Sequence, residues 1–194
     1  MLRWTLVFAL ASVAVAQTYD IRPALDSKFA LEVAKTGLLS GKKHQFLFDR
    51  YQGTLTYDAA VPERSRVELS IASASIQCRD NWVGEGDLKK VMDLAVGPEM
   101  LDVNKHPRLV FVSSSVARSG DGYTVGGDLT IKGATKPVAV AVVITRRADG
   151  AMLFKGKAEV KLKDFGLKPP GAAFGVVGTR NEMTLEFVVV AVRR

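Results

Sequence analysis

Hydrophobic and polar residues alternate with a period of two along most of this chain. The pattern is clearest at residues 66–71, where Val67, Leu69 and Ile71 are separated by polar residues. Such alternation is typical of a β-strand with one face in a core and the other in water. Further runs at regular spacing predict an all-β barrel or sandwich; they cover residues 29–33, 45–48, 55–57, 109–113, 123–125, 128–131, 137–146, 153–163 and 181–192.

Turn residues separate these runs. Residues 119–122 read Ser-Gly-Asp-Gly and residues 148–150 read Ala-Asp-Gly, both of which favour β-hairpins. Residues 132–135 lie between two predicted strands and are interpreted as another turn. Within the strand pattern, Gly53 predicts a bulge or bend.

One segment has the period of a helix. From Asp87 to Val96, apolar residues recur at intervals of three and four, which places them on one face of an α-helix. Asp87 is the predicted N-cap, and Gly97-Pro98 is the predicted end of the helix. A single amphipathic helix in a β protein is expected to cover an opening or a sheet face, with Met92 serving in packing.

Two strands are apolar on both faces, at residues 138–144 and 187–192. A solvent-exposed antiparallel sheet needs only one apolar side. The second side is therefore expected to meet the helix, a neighbouring molecule or a cavity with apolar contents. Packing under the helix and the chain termini is the alternative, and it explains one of these strands more readily than both.

The first 16 of the 194 residues have the pattern of a cleaved signal peptide. Arg3 precedes an apolar run that is shorter than the ~20 residues of a membrane-spanning helix, and Ala14-Val15-Ala16 fits signal peptidase. Residues 17–194 are then one exported domain, since no linker or repeat divides them. The net charge is +7, and the basic residues are spread along the chain without forming a cluster. This distribution does not favour a nucleic acid partner. It suits either plain solubility or transient contact with an anionic membrane surface.

Groups that carry catalysis are scarce. The histidines are His44 and His106, neither in a zinc-protease motif, and the single Cys78 excludes a disulfide within the chain. We interpret Cys78 as a buried, inert thiol at a strand end and His106, before Pro107, as structural. The chain is therefore expected not to be an enzyme and to need neither metal nor cofactor. The alternative is a periplasmic barrel hydrolase or isomerase acting on a small apolar substrate, in which distant polar residues converge on folding.

Several local patterns occur in the order known from one protein family. The most specific is Gly-Asp-Leu-Thr-Ile-Lys-Gly-Ala-Thr-Lys-Pro-Val at residues 127–138. The others lie at residues 41–48, 51–55, 75–80, 100–102, 106–113 and 164–166, with a final apolar strand. Together they resemble the YceI-like family of periplasmic polyisoprenoid-binding proteins over nearly all of residues 17–194.

The resemblance implies a lipocalin-like extended antiparallel β-barrel of about eight strands with one short α-helix. It also implies a periplasmic location, a polyisoprenoid or other long-chain lipid, such as an isoprenoid quinone or a fatty acid, inside the barrel, and no metal. Family members are often homodimers, so a homodimer is a further expectation. Two departures affect access to the barrel: the link between the first two strands is longer than usual, and residues 168–171 extend a loop.

A lipid inside the barrel requires strands with apolar inward faces along their length. The candidate lining residues are Phe29, Phe46, Phe48, Leu69, Ile71 and Phe111. His44 or Arg79 is the candidate contact for a polar head group. The alternatives are that the apolar residues fill a dry core, that His44 lies in a solvated loop and that Arg79 forms a structural salt bridge with Asp80. An outer-membrane barrel is a rival fold, but the chain lacks the aromatic girdles of such proteins.

Overall fold

The computed structural model describes residues 16–171 and 176–194. The predicted signal peptide therefore lies outside the described residues except for Ala16. The described part contains three single 3₁₀ turns, at Pro62–Arg64, Ser73–Ser75 and Leu162–Phe165, and one α-helix, α1 (Glu85–Val96). Its strands are β1 (Gln17–Arg22), β2 (Lys28–Gly37), β3 (Lys43–Phe48), β4 (Tyr51–Tyr57), β5 (Arg66–Ala72), β6 (Ile76–Cys78), β7 (Arg108–Ser119), β8 (Gly122–Ile131), β9 (Ala134–Arg146), β10 (Met152–Lys161) and β11 (Val177–Arg193).

Eight antiparallel strands close into a barrel. Their order is β1-β4-β5-β7-β8-β9-β10-β11, and the ring closes where Tyr19 to Arg22 of β1 pair with Arg193 to Val190 of β11. The predicted barrel of about eight strands with one short helix is confirmed. Since closure leaves no unpaired edge along the ring, the alternating residues have a defined inside and outside.

Strand β11 pairs with two different strands on the same side, and one of them begins a branch of the sheet outside the ring. Its N-terminal part pairs with β2, from Val177 opposite Gly37 to Val188 opposite Lys28, and its C-terminal part pairs with β1. Strands β3 and β6 continue outward from β2. This branch of three strands extends the barrel wall along its length, so residues of β2 and β3 also face the interior.

The hairpin turns predicted at residues 119–122 and 148–150 are confirmed, and the predicted bulge is wrong. The turn predicted at residues 132–135 is shorter than expected, because β9 begins at Ala134. Lys132 and Gly133 between β8 and β9 both have positive φ, at 50° and 77°, which matches the right-handed twist of a two-residue hairpin. Gly53 instead pairs regularly with Ile21 and Leu69. The reason for glycine there is close approach, because a Cβ on Gly53 would lie 2.4 Å from the carbonyl oxygen of Glu68.

The helix is present, but its start differs from the prediction. Gly84 is the N-cap, and Asp87 lies within the first turn, where its carboxylate accepts a hydrogen bond from Lys90 Nζ at 2.8 Å. An acidic residue also favours that turn through the helix dipole, and this explains why Asp87 resembled a cap. The predicted end at Gly97 is confirmed. Among the described residues, no helix has the length and apolarity to cross a membrane.

Of the two strands predicted to be apolar on both faces, β9 has an exposed outer face, whereas Val190 on β11 is buried. On β9, Val138, Val140, Val142 and Ile144 face the interior. The residues between them are exposed, and Val143 keeps half of its surface accessible. Within residues 16–171 and 176–194, neither the helix nor the C-terminal residues cover this outer face, so the expected cover is not found for β9. The end predicted for the next strand is also late, because β10 stops at Lys161 and a 3₁₀ turn follows.

Candidate functional site

A cavity of about 340 Å³ runs through the barrel interior. Its volume lies at the lower end of the range of small-molecule pockets. The wall is almost entirely hydrocarbon, contributed by every strand of the ring, by β2 and β3, and by the helix through Val91, Leu94 and Ala95. The helix therefore covers part of the interior, as predicted. The arrangement can hold a slender apolar molecule.

Seven of the eight predicted site residues line this cavity. They are Phe29, His44, Phe46, Phe48, Leu69, Ile71 and Phe111. The eighth, Arg79, is absent from the described lining. Its exposed guanidinium donates a hydrogen bond to the side-chain oxygen of Gln77. The structure thus brings the apolar candidates together and leaves Arg79 apart.

An aromatic group forms the centre of one wall. Phe29 stacks on Phe187, with ring centroids 5.7 Å apart and planes 9° apart. Phe48 meets Phe29 edge-on at 6.3 Å, and Tyr51 lies 6.0 Å away. Phe187 was not a predicted site residue, although its strand was noted as apolar on both faces. Its inward direction could have been inferred from the alternation with Val189.

The side chain of His44 is fixed rather than solvated. Its Nδ1–H donates to Asp80 Oδ2 at 2.5 Å, and only 12% of the His44 side chain and 1% of the Asp80 side chain are exposed. Asp80 Oδ1 also accepts from the backbone N–H of Gln45 at 2.8 Å. Trp82 stacks on the imidazole at a centroid distance of 5.2 Å.

Two alternatives for this region are therefore wrong. His44 lies on β3 and not in a solvated loop. Asp80 bonds to His44 and not to Arg79, because both Asp80 oxygens point back toward β3. Arg79 is held through its backbone, whose N–H donates to the carbonyl oxygen of Gln45, and its side chain is exposed while the Asp80 side chain turns toward β3.

Cys78 lies beside this pair. Burial, reinforced by the charge of Asp80, raises the pKa of the Cys78 thiol from 9.0 to about 11. The thiol is therefore protonated at neutral pH, in line with the prediction of an inert cysteine. Its backbone N–H donates to the sulfur of Met92 on α1 at 3.2 Å, so Met92 packs as predicted.

His44, Cys78 and Asp80 are also the residues with metal-binding chemistry in this part of the chain. Their ligand atoms all lie within 4.8 Å of one another. However, the His44 imidazole and the Asp80 carboxylate are hydrogen-bonded to each other. The Cys78 thiol is neutral, whereas metal binding requires the thiolate. The hydrogen bonds of Asp80 to His44 and Gln45 connect β3 to the segment that follows β6.

Polar groups reach the cavity at its two ends. At one end, Lys35 of β2 faces Thr179, which lies near the start of β11. At the other end lie Tyr57, Arg66 and Tyr123, close to the β1 residues that pair with the end of β11. Burial and the neighbouring Tyr123 raise the pKa of Tyr57. The described lining residues include no carboxylate.

Comparisons with known proteins give one family. The sequence profile of the YceI-like domain matches residues 19–191. A UPF0312 protein of Pseudomonas aeruginosa is 31% identical over 130 residues, and one of Pseudomonas putida is 33% identical over 131 residues. These matches cover 62% and 64% of this chain and the same shares of the two relatives, so the chain spans a little under two thirds of their length.

Solved structures show the same fold. BcnA of Burkholderia cenocepacia superposes with a TM-score of 0.68 at 24% identity, over 84% of this chain and 95% of that one. The YceI protein of Campylobacter jejuni superposes with a TM-score of 0.58 at 16% identity, over 77% of this chain and 84% of that one. At these identities the likeness establishes the barrel architecture alone.

Proposed function

This chain belongs to the YceI-like family, and from that premise we propose that it is a non-enzymatic carrier that encloses one long apolar lipid in its barrel. A barrel of this family fits a binding or carrier role. The observation that supports the lipid is the cavity itself, about 340 Å³ of space walled by side chains such as Phe29, Phe111 and Leu129.

The hydrophobic effect makes enclosure the effective way to hold such a molecule. Burial of each CH₂ contributes ~0.8 kcal/mol, so a dozen of them approach 10 kcal/mol. A surface groove would leave half of the lipid tail in water and would lose much of this burial free energy. The cavity is instead enclosed by strands around the ring, and the polar residues of its described lining lie toward its two ends.

Export to the periplasm is part of the proposal. The pattern of residues 1–16 supports it. An exported carrier gives a polyisoprenoid, quinone or fatty-acid-like lipid a route through water between membranes, with transient contact at each membrane surface. In the native host, the mature chain is expected to begin at Gln17 and to appear in the periplasmic fraction. Intact mass measurement and cell fractionation test both points.

The direct test of the carrier is the identity of what the barrel holds. The protein is purified from its native host without detergent, extracted with organic solvent, and the extract is analysed by mass spectrometry. We expect one class of long-chain lipid in nearly equimolar amount, absent from a parallel purification of cells that lack the protein. An extract without lipid, from protein that is folded by circular dichroism, would overturn the proposal.

A further inference from the structure

Lys35 is a charged residue in an otherwise apolar row. On β2 the residues that line the cavity are Phe29, Leu31, Val33 and Lys35, at the strict spacing of two that directs side chains to one face. The fourth member of the row thus carries an ammonium group into the wall where the first three carry hydrocarbon. Burial lowers the pKa of Lys35, as expected for a cation removed from water.

Within the described residues Lys35 contacts no anion, and the buried carboxylate of Asp80 acts on its charge only from beyond contact distance. Its Nζ donates to the hydroxyl oxygen of Thr179 at 3.2 Å, which is a neutral acceptor. No carboxylate in the described part of the chain lies within 4.0 Å of it, and residues 1–15 and 172–175 contain neither Asp nor Glu. The oxygens of Asp80 are already bonded to His44 and Gln45, so the partly buried ammonium group has no anion in contact, and an occupant with negative charge would be stabilised there.

His44 and Arg66 also bring nitrogen groups to the cavity. His44 is held by Asp80 at 2.5 Å. Arg66, at the opposite end, donates to the backbone carbonyl of Ser65 at 2.7 Å. Arg66 is exposed to water, whereas Lys35 is partly buried and uses only one of its three ammonium donors, on Thr179. Lys35 is therefore the lining cation that an anion would stabilise most. Thr179 can also turn its own hydroxyl hydrogen toward an anion at the same place.

We propose that the bound lipid carries a negatively charged carboxylate or phosphate at its polar end, and that this group pairs with Lys35 Nζ and the hydroxyl of Thr179. The inference rests on the proposed carrier function and deepens it. The charged end lies at the Lys35 end of the cavity, and the tail extends along Phe29 and Phe187 toward Tyr57. Lys35 thus discriminates between lipids whose tails are alike.

Matched lipid pairs test the inference. Delipidated protein is titrated with cis-parinaric acid and with its methyl ester, which share a tail and differ in charge. Farnesyl phosphate and farnesol are then compared as competitors, which separates a phosphate preference from a carboxylate preference. We expect the charged member of at least one pair to bind about tenfold more tightly, because hydrogen bonds to an ionised group are stronger than those between neutral groups.

Substitutions locate the preference. Lys35→Met is expected to bring the two members of the pair within about twofold, chiefly by weakening the charged one, and Lys35→Gln is a second variant should Lys35→Met prove insoluble. Lys136→Met removes an exposed lysine on β9 and is expected to leave the preference intact.

Each outcome has a distinct meaning. Equal binding of charged and neutral lipids by the unsubstituted protein overturns this inference and leaves the carrier proposal standing. The same holds if both Lys35 variants keep the full preference. If neither member of either pair binds, the carrier proposal fails together with the inference.

Discussion

The ring of Phe187 covers Gly156 on the neighbouring strand so closely that a Cβ at position 156 would lie 2.2 Å from Phe187 Cζ. The two residues are direct partners in the pairing of β10 with β11. Phe187 in turn stacks on Phe29, and both rings line the cavity. Glycine at position 156 is thus required by the position of an aromatic ring that shapes the cavity wall, although its backbone is ordinary strand.

Gly156→Ala is expected to destabilise the barrel by about 1–3 kcal/mol, because Phe187 must leave its stacked position to admit the added methyl group. Equilibrium unfolding in urea measures the change. The matched control is Gly86→Ala on the helix, where a Cβ meets open space; it is expected to be neutral or stabilising by up to about 1 kcal/mol. A neutral Gly156→Ala would contradict the arrangement of the two rings.

Ala158→Phe is expected to reduce the lipid recovered per protein several-fold while the barrel still folds. Ala158 is buried on β10 and lines the cavity, so an added ring occupies the space meant for the ligand. Ala141→Phe makes the same change on the exposed face of β9 and is expected to leave lipid content unchanged. Solvent extraction and mass spectrometry of both variants give the comparison. Equal lipid content in the two would exclude this cavity as the binding place.

Asp80→Ala is expected to lower the free energy of unfolding by about 2–4 kcal/mol, because it leaves the partly buried N–H groups of His44 and Gln45 without an acceptor. Asp80→Asn, which keeps an acceptor oxygen, should cost less. Asp93→Ala breaks an exposed pair with Lys89 on the helix and should cost about 0.5 kcal/mol or less. Chemical denaturation of the three variants tests the order, and the interpretation fails if Asp80→Ala is as mild as Asp93→Ala.

Cys78 is expected to resist alkylation in the folded protein at pH 8 and to react readily in urea. The pKa of its thiol is raised to about 11 in the fold, so the neutral form dominates there. The stabilisation from the neutral thiol is complete below pH 9.0 and is lost as the pH rises toward about 11. Mass spectrometry after iodoacetamide treatment measures the first effect, and unfolding of the protein and of Cys78→Ala against pH measures the second. Rapid alkylation of Cys78 in the folded protein would contradict the interpretation of Cys78 as an inert thiol.

The alternation of side chains was enough to predict most of the strands and the apolar residues that line the cavity. Phe46, Phe48, Leu69 and Ile71 were assigned to the interior because period two separates inside from outside, and the ring of eight strands places them there. Of the two candidate polar contacts, His44 lines the cavity and Arg79 does not. Arg79 and Asp80 are adjacent in sequence, and only the direction of each residue after β6 decided that Asp80 turns toward His44 while Arg79 faces water.

By itself, then, the sequence determined the fold class, the helix and the apolar faces, since these depend on local period and turn chemistry, which each segment carries alone. The tertiary structure decided the rest. Registry between distant strands placed Phe187 over Gly156, and it set Lys35 opposite Thr179, 144 residues further along the chain. No local pattern encodes such partners, because a strand can pair at any register until the whole ring closes and only one registry buries every apolar face at once.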